Sequence, residues 1–365
     1  MTGSAPGHES THALYAQPVV RIRQVGTDPA AAGISDLTKT PPCPVCGGTQ
    51  AKAVFALPGT RFRTVQCTAC GLGSLFPRPV AEEISGFYPP QYYGAGGQKF
   101  AGLIEALVRL VGARHARFFA RQIAPGGRIL DVGCGRGVTL HALADAGFEC
   151  WGFEVSAAAI EGVDARIRTR VGETLADASF PDQFFNEVIL WHVVEHIPEP
   201  AETLAEVHRI LRPGGVVIVA VPNFSSWQAC LCGPAWFHLD PPRHLFHFPL
   251  AGLHQLLEKA GFRCLSTHHF SLRQNPFGWI QSLLNLAPWL PRNGLYAVLH
   301  HSGAAGSPFS PFIRIQLRFL GLLLAPAAVL LSIAAAICRR GATVHVVGVR
   351  RQDKSPEKGF LPIAS

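Results

Sequence analysis

Charge is in short supply in this chain. Asp, Glu, Lys and Arg make up 15% of its 365 residues, while 48% are apolar. Soluble proteins usually carry charge on about a quarter of their positions. So thin a charged surface fits a protein that also meets lipid or a large apolar partner. What charge there is leans basic, +8 at neutral pH, and arginine far outnumbers lysine. That balance suits nucleic acid, anionic lipid or a phosphorylated ligand without choosing among them. A secretory signal is not expected, because MTGSAPGHESTHALYAQ has no basic stretch followed by an apolar core. No internal repeat is visible, which argues against a solenoid. The length suits one large domain and a small one. Residues 1–40, rich in Gly, Pro and small side chains, are expected to be a disordered tail, and 352–365 a second tail.

Ten cysteines could mean a disulfide scaffold, but six are scattered through apolar contexts, which reads as reduced, cytosolic use. The other four are grouped. CPVCGG (43–48) and CTACGL (67–72) form C-x2-C-x20-C-x2-C. Each C-x-x-C lets two thiolates reach one tetrahedral ion, and the glycine after each pair permits the tight turn. Cys43, Cys46, Cys67 and Cys70 are therefore predicted to hold a structural zinc ion in a ribbon spanning 41–95. Few basic or aromatic residues sit at the knuckle tips, so nucleic acid is not the expected partner.

The stretch GGRILDVGCGRGVTLHALADAGFECWGFEVS (126–156) reads as strand, Gly-rich turn, helix and strand. Gly133, Gly135 and Gly137 stand where backbone turns sharply and a ligand needs close approach. Glu154 closes the second strand about 20 residues on, where a carboxylate can accept hydrogen bonds from both hydroxyls of a ribose. The spacing G-x-G-x-G, with Asp131 just before it, resembles the first motif of class I S-adenosylmethionine-dependent methyltransferases. That resemblance implies an α/β fold with a seven-stranded Rossmann-like sheet ordered 3-2-1-4-5-7-6, and S-adenosylmethionine as cofactor.

The resemblance runs over roughly 120–270 and 342–350, with the domain itself assigned to 96–270. It implies that Asp131 serves the cofactor's ammonium and that Thr174 and Leu175 lie against its adenine, with Glu173 and Asp177 both open as the acid for the adenine amino group. NEVILWHV (186–193) reads as the fourth strand and LRPGGVVIVAVPN (211–223) as the turn and fifth strand. His192 then falls at a strand end beside the Gly loop, where it is a candidate both for the cofactor and for catalysis. In related quinone-ring O-methyltransferases an E-x-x-E-H stretch at this place can ligate a divalent ion; here His192 replaces its first acid, ahead of Glu195 and His196. A second histidine cluster, FHLDPPRHLFHF (237–248), follows the fifth strand. Histidine suits a general base near neutral pH, and His244 is the first choice, His192 the second. The leader CPVCGG … CTACGL … FPRPV … FYPPQYY resembles the zinc-containing segment before the methyltransferase domain of many bacterial enzymes, among them sugar C-methyltransferases with a large further domain that this sequence does not show.

Phe319 to Cys338 carries no charge over 20 residues and has arginines on both sides, long enough to cross a bilayer as a helix. Yet ATVHVVGVRR (342–351) alternates like a strand, and in this fold it is the only candidate for the antiparallel seventh strand. Both ends of an apolar helical insertion at 271–341 then lie on one side of any membrane, which rules out a single crossing. Trp279 and Trp289 suit the headgroup level, and Arg314, Arg318, Arg339 and Arg340 suit anionic headgroups. The expectation is monotopic attachment to the cytoplasmic membrane face and an apolar or lipid-linked methyl acceptor. The alternatives are a soluble methyltransferase of a small metabolite or sugar, with the apolar segment as a homodimer interface, and a zinc-ribbon nucleic-acid-binding protein with a relic cofactor fold.

Overall fold

The computed structural model describes residues 40–57, 60–87, 103–300 and 309–351. The expected tails, Thr40 excepted, residues 58, 59 and 88–95 of the leader and residues 96–102 of the expected methyltransferase domain lie outside them. The chain divides into two compact units, each assembled from separate stretches of sequence.

One unit comprises 109–221, 253–268 and 345–365. It holds a seven-stranded sheet built from β4 (Arg128–Val132), β5 (Glu149–Glu154), β6 (Arg168–Val171), β7 (Phe185–Trp191), β8 (Leu211–Pro222), β10 (Phe262–His268) and β11 (Thr343–Arg350). The order is β6-β5-β4-β7-β8-β11-β10, which is the expected 3-2-1-4-5-7-6. β4 to β8 pair in parallel, and β10 with β11 antiparallel. ILDV, VILW and VVIVAV are near-continuous apolar runs because helices cover parallel strands on both faces. Ile129, Leu130, Ile189, Leu190, Val217 and Ile218 are fully buried. On one face α2 (Leu103–Phe119) and α3 (Val138–Asp145) supply Phe119, Leu140 and Leu143 to the core. On the other, Trp151 meets Phe180, Phe184 and Phe185 edge-on. β7 ends two residues earlier than the sequence predicts, because His192 turns into the left-handed region at φ 58°.

The other unit comprises 1–108, 222–252 and 269–344. β1 (Ala51–Ala56), β2 (Arg63–Cys67) and β3 (Gly73–Phe76) form an antiparallel ribbon, and β9 (Phe246–His247), from the stretch after β8, adds a fourth strand beside β3. Phe224, a neighbour of Phe55, Trp236 and His247, packs within the same unit. The insertion contributes α7 (Gln274–Asn285), α8 (Gly294–His300) and α9 (Pro311–Ile337). Ser310 caps α9 by accepting from the Ile313 N–H, and Pro311 occupies the first turn, where no N–H is needed. α9 buries one narrow stripe, Leu317, Gly321, Ala328, Ser332 and Ala335, spaced at helical intervals and packed on α7 and α8.

The two ends of the insertion are clasped together. Asn275, 1% exposed, donates to the His269 carbonyl (2.9 Å) and accepts from the Thr343 N–H (3.2 Å). Asn223 donates to the Gly341 carbonyl at 3.0 Å. A Cβ on Gly341 would lie 1.8 Å from the His269 carbonyl oxygen, so glycine is required by close approach of backbone to backbone. Gly341→Ala is expected to destabilise the protein by roughly 3 kcal/mol, read as a fall in urea midpoint. Gly86→Ala, with nothing within 4 Å of the added carbon, should shift it by less than about 0.5 kcal/mol.

Candidate functional site

Three adjacent strands, β5, β4 and β7, end side by side, and the candidate cofactor residues gather at their carboxyl ends, where open α/β sheets bind ligands. The loop after β4 is held to β5: the N–H groups of Gly133 and Cys134 both donate to the Phe153 carbonyl, at 2.8 and 3.2 Å. Gly133, Gly135 and Gly137 have φ of 73°, 51° and 67°, a region that disfavours any side chain. At Gly133 the close neighbour is Val193, whose Cγ2 would lie 2.6 Å from an added Cβ. At Gly135 a Cβ would meet nothing within 4 Å. The backbone there is bare, with open space beside it.

Glu154 accepts from the Gly135 N–H at 3.0 Å with one oxygen and from the Val155 N–H at 2.9 Å with the other. The Ser156 N–H is a third backbone donor to it, and of the roughly four acceptor positions of a carboxylate one remains for a further donor. Burial raises its pKa. Asp131 is also buried, and burial together with the Glu154 charge pushes it up to about 8. Beneath them Glu187, fully buried on β7, has neither oxygen hydrogen-bonded, and burial and the Asp131 charge hold it well above the usual carboxylate range. Three buried carboxyl groups at one crevice favour a cationic ligand, and S-adenosylmethionine, with its sulfonium and ammonium, fits that chemistry. Sequence reasoning passed over Glu187; the signal was an acid inside the otherwise apolar strand FNEVILW.

At the end of β7, His192 donates its backbone N–H to Ala220 and sets its ring Nδ1 3.1 Å from Glu195 Oε1. Glu195 is fully buried. A carboxylate on one ring nitrogen fixes the imidazole's orientation and raises its basicity. Beside it Trp191 meets two tilted imidazoles, His115 (centroids 4.5 Å apart) and His345 (4.3 Å), contacts that the sequence does not reveal because their members are 76 and 154 residues from Trp191. Thr174 opens a turn in which its own N–H is capped by Asp177 at 2.7 Å, and Leu175 is buried. Asp177 is thereby engaged by the turn, while Glu173 is exposed.

Asp131, the three glycines, Glu154, Thr174, Leu175 and His192 all belong to the unit of the seven-stranded sheet, whereas His244 and the four cysteines belong to the other. His244 Nδ1 donates to the His238 carbonyl at 2.8 Å, and its Nε2 lies 3.8 Å from Asp240. Asp240 in turn accepts two hydrogen bonds from Arg243.

The Cys43–Cys70 and Cys46–Cys67 sulfurs are each 3.5 Å apart, and all four lie within 4.8 Å of one another. A disulfide needs about 2.05 Å. A tetrahedral ion with Zn–S bonds of about 2.3 Å needs sulfurs about 3.8 Å apart, so the donor set fits zinc. Both knuckles have the same turn: the Gly47 N–H donates to Cys43 and the Gly71 N–H to Cys67, with φ near 79° and 77°. Burial raises Cys43 and Cys70, whereas Cys67 falls to about 7 because N–H groups of Cys70 and Ala69 outweigh its burial. Four thiols this close ionise together only when a cation shares them.

Residues 103–267 match the family described as "Methyltransferase domain". A protein of Mycolicibacterium smegmatis named as an S-adenosylmethionine-dependent methyltransferase is 32% identical over 148 residues, covering 39% of this chain and 54% of the relative. The ubiquinone biosynthesis O-methyltransferase of Alkalilimnicola ehrlichii is 36% identical over 107 residues, 27% of this chain and 42% of the relative. The chain thus spans about half the length of the curated relatives it matches. Among solved structures, phosphoethanolamine N-methyltransferase 2 of Haemonchus contortus, in complex with S-adenosyl-L-methionine, is 18% identical with a TM-score of 0.46, over 77% of this chain and 62% of that one.

Two outcomes are expected. Elemental analysis of the purified protein should give one zinc per chain, and Cys67→Ser should lose the metal and lower the melting temperature. Cofactor affinity measured by calorimetry should rise with pH up to about 8 and level off above it, because a protonated Asp131 must release its proton when a cation binds. The slope should approach tenfold per pH unit below that point and flatten in Asp131→Asn.

Proposed function

We propose that this chain, whose residues 103–267 form a class I S-adenosylmethionine-dependent methyltransferase domain, transfers a methyl group to an apolar or lipid-linked acceptor at the cytoplasmic face of a membrane. The observation that carries the cofactor assignment is the open backbone at Gly135 against the buried carboxylate of Glu154. The Gly133–Gly137 loop and Asp131 take the methionine end, Glu154 the ribose hydroxyls, and Thr174 and Leu175 the adenine side, with Glu173 the acid left for the adenine amino group.

When bound, the cofactor supplies an electrophilic methyl on sulfonium. Holding a nucleophile in line with that methyl accounts for much of the acceleration. An oxygen nucleophile must also lose a proton as it attacks, and His192, oriented by Glu195, is placed at the end of β7 to accept it. His244, whose ring is oriented by the His238 carbonyl, is the corresponding base in the segment after β8. That segment shares a unit with the apolar insertion, which supports an acceptor drawn from a membrane.

The test is transfer of labelled methyl to a cell-envelope extract. Glu154→Ala should abolish transfer and weaken cofactor binding by roughly a hundredfold, the scale of two lost charge-assisted hydrogen bonds. His192→Ala should lower kcat by about 100-fold or more, a larger effect than any on cofactor affinity. Full cofactor affinity in Glu154→Ala would contradict the ribose assignment; label found only in the aqueous fraction would contradict the apolar acceptor.

A further inference from the structure

Between Glu258 and Asp353 the chain contains no acidic residue. The insertion that joins β10 to β11 nevertheless carries Arg273, Arg292, Arg314, Arg318, Arg339 and Arg340. Its longest element, α9, is about 40 Å long at 1.5 Å per residue and uses only its narrow stripe of mostly small residues to pack on α7 and α8. On the opposite side it turns a row of large apolar side chains outward: Phe312, Phe319, Leu322, Leu330 and Ile337 are 65–77% exposed. At 100° per residue these fall on one face. Trp289, in the link between α7 and α8, is 74% exposed.

Three occupants could cover that face, and charge and connectivity choose among them. A second copy pairing through α9 by a two-fold axis would bring arginine-bearing ends against arginine-bearing ends, whichever way the helices run, with no acid on the helix to compensate. A bilayer crossed by α9 fails on packing. The opposite side of α9 is occupied by α7, which is fixed by buried polar groups: Ser282 accepts from the Phe237 N–H (2.9 Å), and Asn285 donates to the Ala235 carbonyl (3.1 Å). An upright α9 would carry this irregular 233–239 backbone toward the hydrocarbon, where such chain is not tolerated facing lipid. The clasp of His269 and Gly341 also returns the chain to the side it left.

A bilayer surface lying along α9 meets none of these objections. We propose that α9 lies in the plane of an anionic membrane, submerged in one leaflet, with Arg314 and Arg318 at one end and Arg339 at the other on lipid phosphates, Arg340 being held by the Ser225 carbonyl. This rests on the membrane-face reading above and adds how the surface is engaged and which lipids it selects. Arginine side chains are long enough to reach headgroups from beside a submerged helix, and each contributes roughly a fivefold gain in partition onto an anionic surface.

The experiment uses the full chain with sealed vesicles of phosphatidylcholine alone or mixed with phosphatidylglycerol. Flotation should occur with the anionic vesicles and weaken with salt. Arg314→Gln with Arg318→Gln should weaken it roughly 10- to 30-fold, and Leu322→Glu with Leu330→Glu should abolish it. Equal binding to both vesicle types, or no binding to either, would overturn the proposal, as would a dimer that Leu322→Glu converts to monomer. In a Cys230→Ser background, a fluorophore on Cys338 or on Phe312→Cys should in both cases be quenched by a membrane-impermeant reductant added outside; protection of one end would mean a crossing. Calorimetry with S-adenosylmethionine on the same variants separates the two readings. Lost flotation with intact cofactor binding sinks the docking alone, and absent cofactor binding in the unmodified chain sinks the methyltransferase reading alone.

Discussion

The antiparallel pairing of β11 with β10 is the constraint on which much else depends. His268 and His345 are register partners, so a chain that leaves the sheet at the end of β10 must come back to the same place. Everything between is a closed excursion, and its two ends are tied by Asn275, Asn223 and the bare backbone of Gly341. A 27-residue apolar helix inside such a loop is a different object from the same helix at a free terminus. Its length permits a crossing; its attachment favours lying flat.

The crevice follows a comparable logic. Parallel strands bring their carboxyl ends to one edge, so residues from the ends of β4, β5 and β7 meet there without being close in sequence. Placing three carboxyl groups together is costly while they are buried, which is why the pKa values of Asp131 and Glu187 are raised. The same arrangement favours a cation when one arrives.

The cysteine ribbon is not an isolated leader. β9, from far along the chain, completes its sheet, and Phe224, Trp236 and His247 pack in the same unit as the insertion. A metal that fixes the two knuckles therefore also steadies the segment that follows β8 and carries His244. A metal ion held by four thiolates contributes through folding.

The sequence by itself determined what depends on local spacing: the four cysteines, the Gly133–Gly137 turn, the acid ending β5, the strand order through its resemblance, and the charge-free run of 319–338. These are readable because a turn, a knuckle or an amphipathic period is specified by neighbours within a few residues. Only the tertiary structure decided that Glu187 lies beneath Asp131, that His115 and His345 enclose Trp191, that Asp177 is taken up by its own turn, and which face of α9 is bare. Those facts join residues brought together by packing, and burial, which sets their charge and exposure, is a property of the folded neighbourhood and not of the string.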